Sequence, residues 1–283
     1  MYAQFNLGRA YNNGRGVEQS DEKAVEWFRR AANQGDADAQ FELGCAYDSG
    51  KGVKKDAEEA VKWYRKAAEQ GDADGACSLG QSLLFGIGIE KDEGAAFHWF
   101  QCAAEGKEEP ALAWLGYCYD FGAGTPVDKK KAETFFSKLE DPAFGYNGIA
   151  WGLFEASRAS EALPFAENAV AAFRKDGAFP LDGKIAILDT LAAVLDALER
   201  ADETKKVCSE ILSLMQDGDD SENREVALVR LGRACQRLGD KAGATDAWSK
   251  ALAIVEKHGG KHARYGESAD ELRRLIREHH PQI

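Results

Sequence analysis

The chain has 283 residues, little proline and a formal net charge of −12, a length that suits one large domain or two ordinary ones. The acidic balance excludes a broad nucleic-acid or anionic-membrane surface, since both need clustered Lys and Arg, and it suits a basic partner. No run approaches the roughly 18 consecutive apolar residues of a membrane span, so no membrane insertion is expected.

The first 74 residues hold one 36-residue unit written twice, Ala3–Asp38 and Ala39–Asp74. Self-similarity at such a period marks stacked supersecondary units. Ala3, Leu7 and Tyr11 fall at i, i+4 and i+8, one stripe of a helix. Gly8 lies mid-helix, where glycine costs about 1 kcal/mol against alanine. Its return at Gly44, Gly80 and Gly116 predicts a close helix–helix approach that a Cβ would block. Gly14 and Gly16 end the first helix. Ser20 or Asp21 caps a second, running over Lys23–Gln34 with Ala24, Trp27, Phe28, Ala31 and Ala32 on its apolar face, and Gly35 stops it. The third unit, 75–110, has Leu83 where the others have tyrosine. The fourth, 111–143, decays: Leu139 and Glu140 replace the paired alanines and Asp141–Pro142 closes it.

From Phe144 to 260 the period changes. Three sets share a 4-7-8-11-20-24-27 spacing. They are Tyr146, Ile149, Ala150, Leu153, Ala162, Ala166 and Ala169; then Leu188, Leu191, Ala192, Leu195, Thr204, Cys208 and Ile211; then Leu228, Leu231, Gly232, Cys235, Ala244, Trp248 and Ala251. The segments Asp176–Lys184 and Gln216–Arg224 read as lengthened connections. Residues 261–283 form a cap with Ala269, Leu272, Leu275 and Ile276 on one stripe, and a polar outer face. The N-terminal end has no such cap, which points to self-association there or to a preceding segment.

The pattern Ala-x3-Leu-Gly-x2-Tyr-x2-Gly-x-Gly-Val, followed by Ala-x2-Trp-Phe/Tyr-x2-Ala-Ala-x2-Gly, resembles the Sel-one-like repeat (SLR). The second half is similar to tetratricopeptide (TPR) repeats. Together these resemblances imply an all-α, right-handed solenoid of antiparallel helix pairs used for protein–protein contact, with no catalytic residue owed to the repeat. They also imply that the first helix of each pair lines a concave face. That face would hold Arg9, Asn12, Asn13, Cys45, Asp48, Gln81, Tyr117 and Asp120, then Asn147, Trp151, Asp189, Asp196, Val229, Arg233, Gln236 and Arg237.

The turns carry a second candidate surface. Asn12–Asn13 with Arg15, and Asp48–Ser49 with Lys51, are polar; Leu84–Phe85 with Ile87, and Asp120–Phe121 with Ala123, are apolar or aromatic. Such a patch is either a contact surface or internal packing.

Catalytic and metal chemistry find little support. The Gly-x-Gly pairs recur at the repeat period with no preceding strand, so they are turn glycines and not a phosphate cradle. Four of the five histidines fall between His258 and His280, but Gly259–Gly260 separates His258 from His262, and no metal or other cofactor is expected. His98 reads as surface or half-buried. The six cysteines occupy different repeat positions and read as free thiols in a reducing compartment, although Cys102 and Cys118 are close enough in sequence for a disulfide. Met1 and Tyr2 lead directly into the first repeat, without a signal-peptide pattern. The chain therefore reads as cytoplasmic, or as a piece of a longer protein. The expectation is a non-enzymatic scaffold binding a protein or peptide. The alternatives are a dedicated regulator of one enzyme or toxin, and an enzyme with its site in the irregular second half.

Overall fold

The computed structural model describes residues 2–105, 109–175, 179–215, 221–257 and 268–279. Among these residues the fold is all α-helix, and the chain divides into two compact units, Met1–Glu140 and Asp141–Ile283.

The first unit holds α1 (Tyr2–Asn13), α2 (Asp21–Ala32), α3 (Ala37–Ser49), α4 (Ala57–Glu69), α5 (Ala73–Phe85), α6 (Glu93–Glu105), α7 (Glu109–Phe121) and α8 (Lys129–Phe136). Each helix packs on the next, the stacking of antiparallel pairs that defines a solenoid. The helix starts follow from side chains that accept the orphan N–H groups of the first turn. Ser20 and Asp56 cap α2 and α4, accepting from Lys23 and Glu59 at 3.3 and 3.1 Å. Asp92 and Asp128 do the same for α6 and α8, from Ala95 and Lys131 at 2.9 and 3.1 Å. Each cap contributes about 1 kcal/mol. The second helix therefore starts at Asp21 under Ser20, two residues earlier than its apolar pattern suggests.

The mid-helix glycines meet rings. An added Cβ at Gly8, Gly44, Gly80 or Gly116 would lie 2.6 Å from Phe28, Tyr64, Phe100 or Phe136 respectively. Ring and backbone touch once per repeat, and this fixes how closely the two helices of a pair approach. Shortening of α8 to eight residues matches the decay of the fourth repeat after Phe136.

The second unit holds α9 (Pro142–Glu155), α10 (Ala159–Lys175), α11 (Leu181–Ala197), α12 (Ala201–Leu214), α13 (Glu222–Arg237), α14 (Lys241–Lys257) and α15 (Ala269–His279). Asp141 caps α9, accepting from Ala143 at 3.0 Å. The core is built largely from the three spaced sets: Ile149, Ala150, Leu153, Leu188, Ala192, Thr204, Cys208 and Trp248 are all sealed from solvent. Two boundaries differ from the sequence pattern. Leu181–Lys184 belongs to α11 and not to a connection, and Glu222–Arg224 belongs to α13, started by Ser221 accepting from the Arg224 N–H at 3.4 Å. Leu272 and Ile276 seat α15 on α14. No described helix is long and apolar enough to cross a membrane.

Candidate interaction surface

The first helices of each pair carry the candidate residues, and their surroundings divide them. Arg9 and Asn13 are exposed, while Asn12, Asp48 and Gln81 are half-buried. The Arg9 guanidinium lies 5.8 Å from the Phe5 ring, and the Gln81 amide donates to Cys77 Sγ at 3.7 Å. Around them sits a run of carboxylates. Asp38 and Glu42 are one turn apart on α3, and Asp74 repeats Asp38 one unit later on α5. Burial raises the Glu42 carboxyl; Arg9 opposes the shift, and Asp38 and Asp74 add to it. Asp74 is exposed at the start of α5, and its carboxyl is raised by partial desolvation and by Asp38. Neighbouring Cys45 is pushed up to about 12, chiefly by burial, so its thiol keeps its proton at neutral pH. Asp38 and Asp74 both disfavour the ionised Glu42, which is also partly dehydrated and is opposed only by Arg9. Sequence reasoning missed this ridge, although its signal was present: acids at i and i+4, one of them repeated after 36 residues.

The apolar turn patch divides too. Leu84 is 1% exposed, and Phe85 is half-buried, its ring edge-on to that of Trp114 with centroids 5.6 Å apart. Tyr117, expected on the open face, is 1% exposed, wedged between Trp114 and Phe121. Leu84 and Tyr117 are thus core residues and cannot touch a partner in this conformation. Aromatic stacking in the third and fourth repeats draws inward what solvent meets elsewhere. Phe121 remains 48% exposed, stacked on Tyr117 at 4.8 Å with Val127 59% exposed nearby. Lys129 Nζ lies 5.5 Å from the Phe121 ring and pairs with Asp120 at 2.7 Å.

In the second unit the acids of the first helices have cations of their own. Asp189 pairs with Arg230; burial raises its carboxyl and Arg230 pulls it back. Asp196 pairs with Arg237 and, at 3.8 Å, with Arg233. Arg233 and Arg237 are therefore engaged with Asp196. Val229 is 1% exposed and belongs to the core, whereas Gln236 is exposed. Asn147 is half-buried, and its Oδ1 has no hydrogen-bond partner among the described residues. Trp151 is half-buried, 5.4 Å from Phe154.

All six cysteines are free thiols, Cys102 and Cys118 included. Cys102 Sγ lies 3.7 Å from the Nε2 of exposed His98 on the same helix. Among the described residues no cluster of His, Cys, Asp and Glu could hold a metal ion; His258 and His262 lie outside them.

The profile of the family described as Sel1 repeat matches residues 2–36, 37–72, 73–107 and 110–139. A solved Sel1 repeat protein from Oxalobacter formigenes is 31% identical, with a TM-score of 0.53, over 77% of this chain and 86% of that one. The chain belongs to the Sel1 repeat family.

Other solved structures are similar at lower identity. A protective antigen of uropathogenic Escherichia coli displaying an SLR fold is 24% identical over 98% of this chain and 68% of that one, with a TM-score of 0.43. A Podosopora anserina putative kinesin light chain with nearly identical TPR-like repeats is 15% identical over 80% and 98%, with a TM-score of 0.49. No curated protein matches the chain. The four matched Sel1 segments carry the glycine–ring contacts and the carboxylates Asp38, Glu42 and Asp74, while the arginine-paired Asp189 and Asp196 lie beyond the last of them.

Proposed function

We propose that this Sel1 repeat protein is a non-enzymatic scaffold whose first helices bind a peptide or partner protein bearing basic side chains. One observation carries the reading: the first helices α3 and α5 place exposed Asp38 and Asp74 and half-buried Glu42 where Asp38 and Asp74 both raise the Glu42 carboxyl, with Arg9 as the opposing cation. A Lys or Arg from a partner, set among Asp38, Glu42 and Asp74, would relieve that repulsion. Such complementarity favours specificity and rapid association. Phe121 and Val127 supply exposed apolar area of the kind that anchors a contact. Burial pushes the thiols of Cys45, Cys118 and Cys208 up to about 12, so they keep their protons at neutral pH and are poor nucleophiles.

Titration of the full chain with Lys/Arg-rich and Glu-rich peptides of equal length tests the proposal. The expected result is salt-sensitive binding of the basic peptides alone, abolished by Glu42→Lys with Asp74→Lys. Preference for acidic peptides, or basic binding that survives both reversals, would overturn it.

A further inference from the structure

One position breaks the pattern of the Sel1 units in the middle of the array. Three of the four first helices carry a tyrosine, at Tyr11, Tyr47 and Tyr119, and the third unit has Leu83 in its place. The neighbouring units show what that ring does. Arg29 of α2 donates to the Tyr47 hydroxyl at 2.9 Å, and its guanidinium lies 5.9 Å from the ring centroid. Tyr47 and Val53 pack against the cluster that holds Trp63, which is only 8% exposed. In the fourth unit the Tyr119 ring stacks on Phe135, with centroids 5.6 Å apart. The tyrosine thus serves an arginine of the preceding second helix and the aromatic residue of its own second helix.

In the third unit both of those groups stand without it. Arg65 is the counterpart of Arg29; it is half-buried and has no hydrogen bond or ion pair among the described residues. Trp99 is the counterpart of Trp63 and Phe135, and it is half-buried where Trp63 is buried. Leu83, 5% exposed, brings neither a hydroxyl nor a ring. Here a cavity of about 470 Å³ opens, lined by Arg65, Leu83, Ile89 and Trp99. Such a volume lies within the range of small-ligand sites. Three charged residues share its lining. Lys91 is paired with Glu93 at 2.7 Å, and Asp92 caps α6 by accepting from Ala95 at 2.9 Å. Glu90 is exposed. Glu90 and Asp92 disfavour an anionic occupant, while Arg65 wants an acceptor and Trp99 a ring. A neutral phenol meets all three conditions.

We infer that this cavity receives the side chain of a tyrosine from a partner protein, its hydroxyl oxygen accepting from Arg65 and its ring against Trp99. The partner's residue takes the place that Tyr47 and Tyr119 fill in their own units. The inference is independent of the acidic ridge, because none of Asp38, Glu42 and Asp74 lines the cavity.

Ligand-observed NMR tests it by titrating the full chain with N-acetyl-tyrosinamide, N-acetyl-phenylalaninamide, the phosphotyrosine amide and p-cresol. Saturable binding of the tyrosine amide is expected, about fivefold or more tighter than the phenylalanine amide, because only the phenol offers Arg65 an acceptor. Arg65→Met should erase that preference at an unchanged melting temperature. Leu83→Tyr, which restores the residue of the other three units, should fill the cavity, abolish binding and leave the melting temperature at or above that of the wild type. Should Leu83→Tyr fail to fold, Arg65→Met still decides. Absence of saturable binding, equal binding of the two amides, or a preference that survives Arg65→Met would overturn the inference. Tighter binding of the phosphotyrosine amide would overturn it in favour of an anion site, and tighter binding of p-cresol than of the tyrosine amide in favour of a free phenol.

Discussion

The two units solve the same packing problem differently. In the first, a glycine on each first helix takes a phenylalanine or tyrosine ring from the second helix. In the second, Ala150 and Ala192 hold the corresponding place, sealed from solvent, and glycine returns only at Gly232 beneath Trp248. Their charges differ as well. Acids on the first helices of the second unit are matched by arginines about one repeat further along, at Arg230, Arg233 and Arg237. In the first unit Asp38 adds to the raised carboxyls of Glu42 and Asp74, and only Arg9 opposes the shift, at Glu42. Acids already paired within the fold have little left to offer a partner, whereas acids that repel one another are improved by one. That contrast supports the proposal of a binding surface in the regular half, whereas the sequence invites a search in the irregular one.

The largest effect should come from the ring contacts. Gly80→Ala brings a Cβ against the fully buried Phe100 and should cost about 3 kcal/mol, while Ala192→Gly, which removes a methyl and frees the backbone, should cost about 1 kcal/mol. Chemical denaturation of the two variants measures the difference; equal losses would mean that the ring contact does not set the helix spacing. Next comes the buried pair. Arg230 is only 9% exposed, and Arg230→Ala should cost about 2 kcal/mol by stranding Asp189, whereas Arg30→Ala, which loses an exposed pair with Glu26, should cost less than about 0.5 kcal/mol.

A smaller effect follows from pH. Glu42 and Asp74 hold their protons to higher pH when folded than when unfolded. On acidification the folded state therefore takes up protons first, and these groups favour folding progressively as pH falls through their raised values toward the ordinary 4.5 and 3.8. Protection of α3 and α5 amides, corrected for intrinsic exchange, should rise over that interval, and Glu42→Gln should reduce the rise. Phe121→Ala should also change stability little, below about 1 kcal/mol for so exposed a ring, with partner binding lost. A large drop in melting temperature would instead make Phe121 a core residue.

Much of this architecture was legible in the letters. Recurring Gly8, Gly44, Gly80 and Gly116 announced a close approach because only a repeated steric need keeps glycine inside a helix. The spaced sets of the second half named core residues such as Ile149, Leu188 and Trp248, because helix periodicity brings them to one face. The surface was read less well. Tyr117 turns inward onto Trp114, and Phe85, next to Leu84, meets the same ring, contacts that spacing does not reveal. Pairing of Arg237 with Asp196 spans 41 residues across a lengthened connection, so no fixed period points to it. The ridge escaped notice because acids serve two purposes here. Asp72 accepts the Gly75 N–H as a helix cap, while Asp74, two residues on, is raised by Asp38 of the preceding repeat.

Thermal unfolding at pH 7 of two double variants tests the central contrast most directly: Glu42→Gln with Asp74→Asn, against Asp189→Asn with Asp196→Asn. The first removes charges that repel, and the second removes charges that arginines hold. The account predicts that the first variant melts at or above the wild-type temperature and loses binding to basic peptides, while the second melts lower and keeps that binding. A first variant that melts lower, or a second that melts no lower and loses the binding, would contradict it.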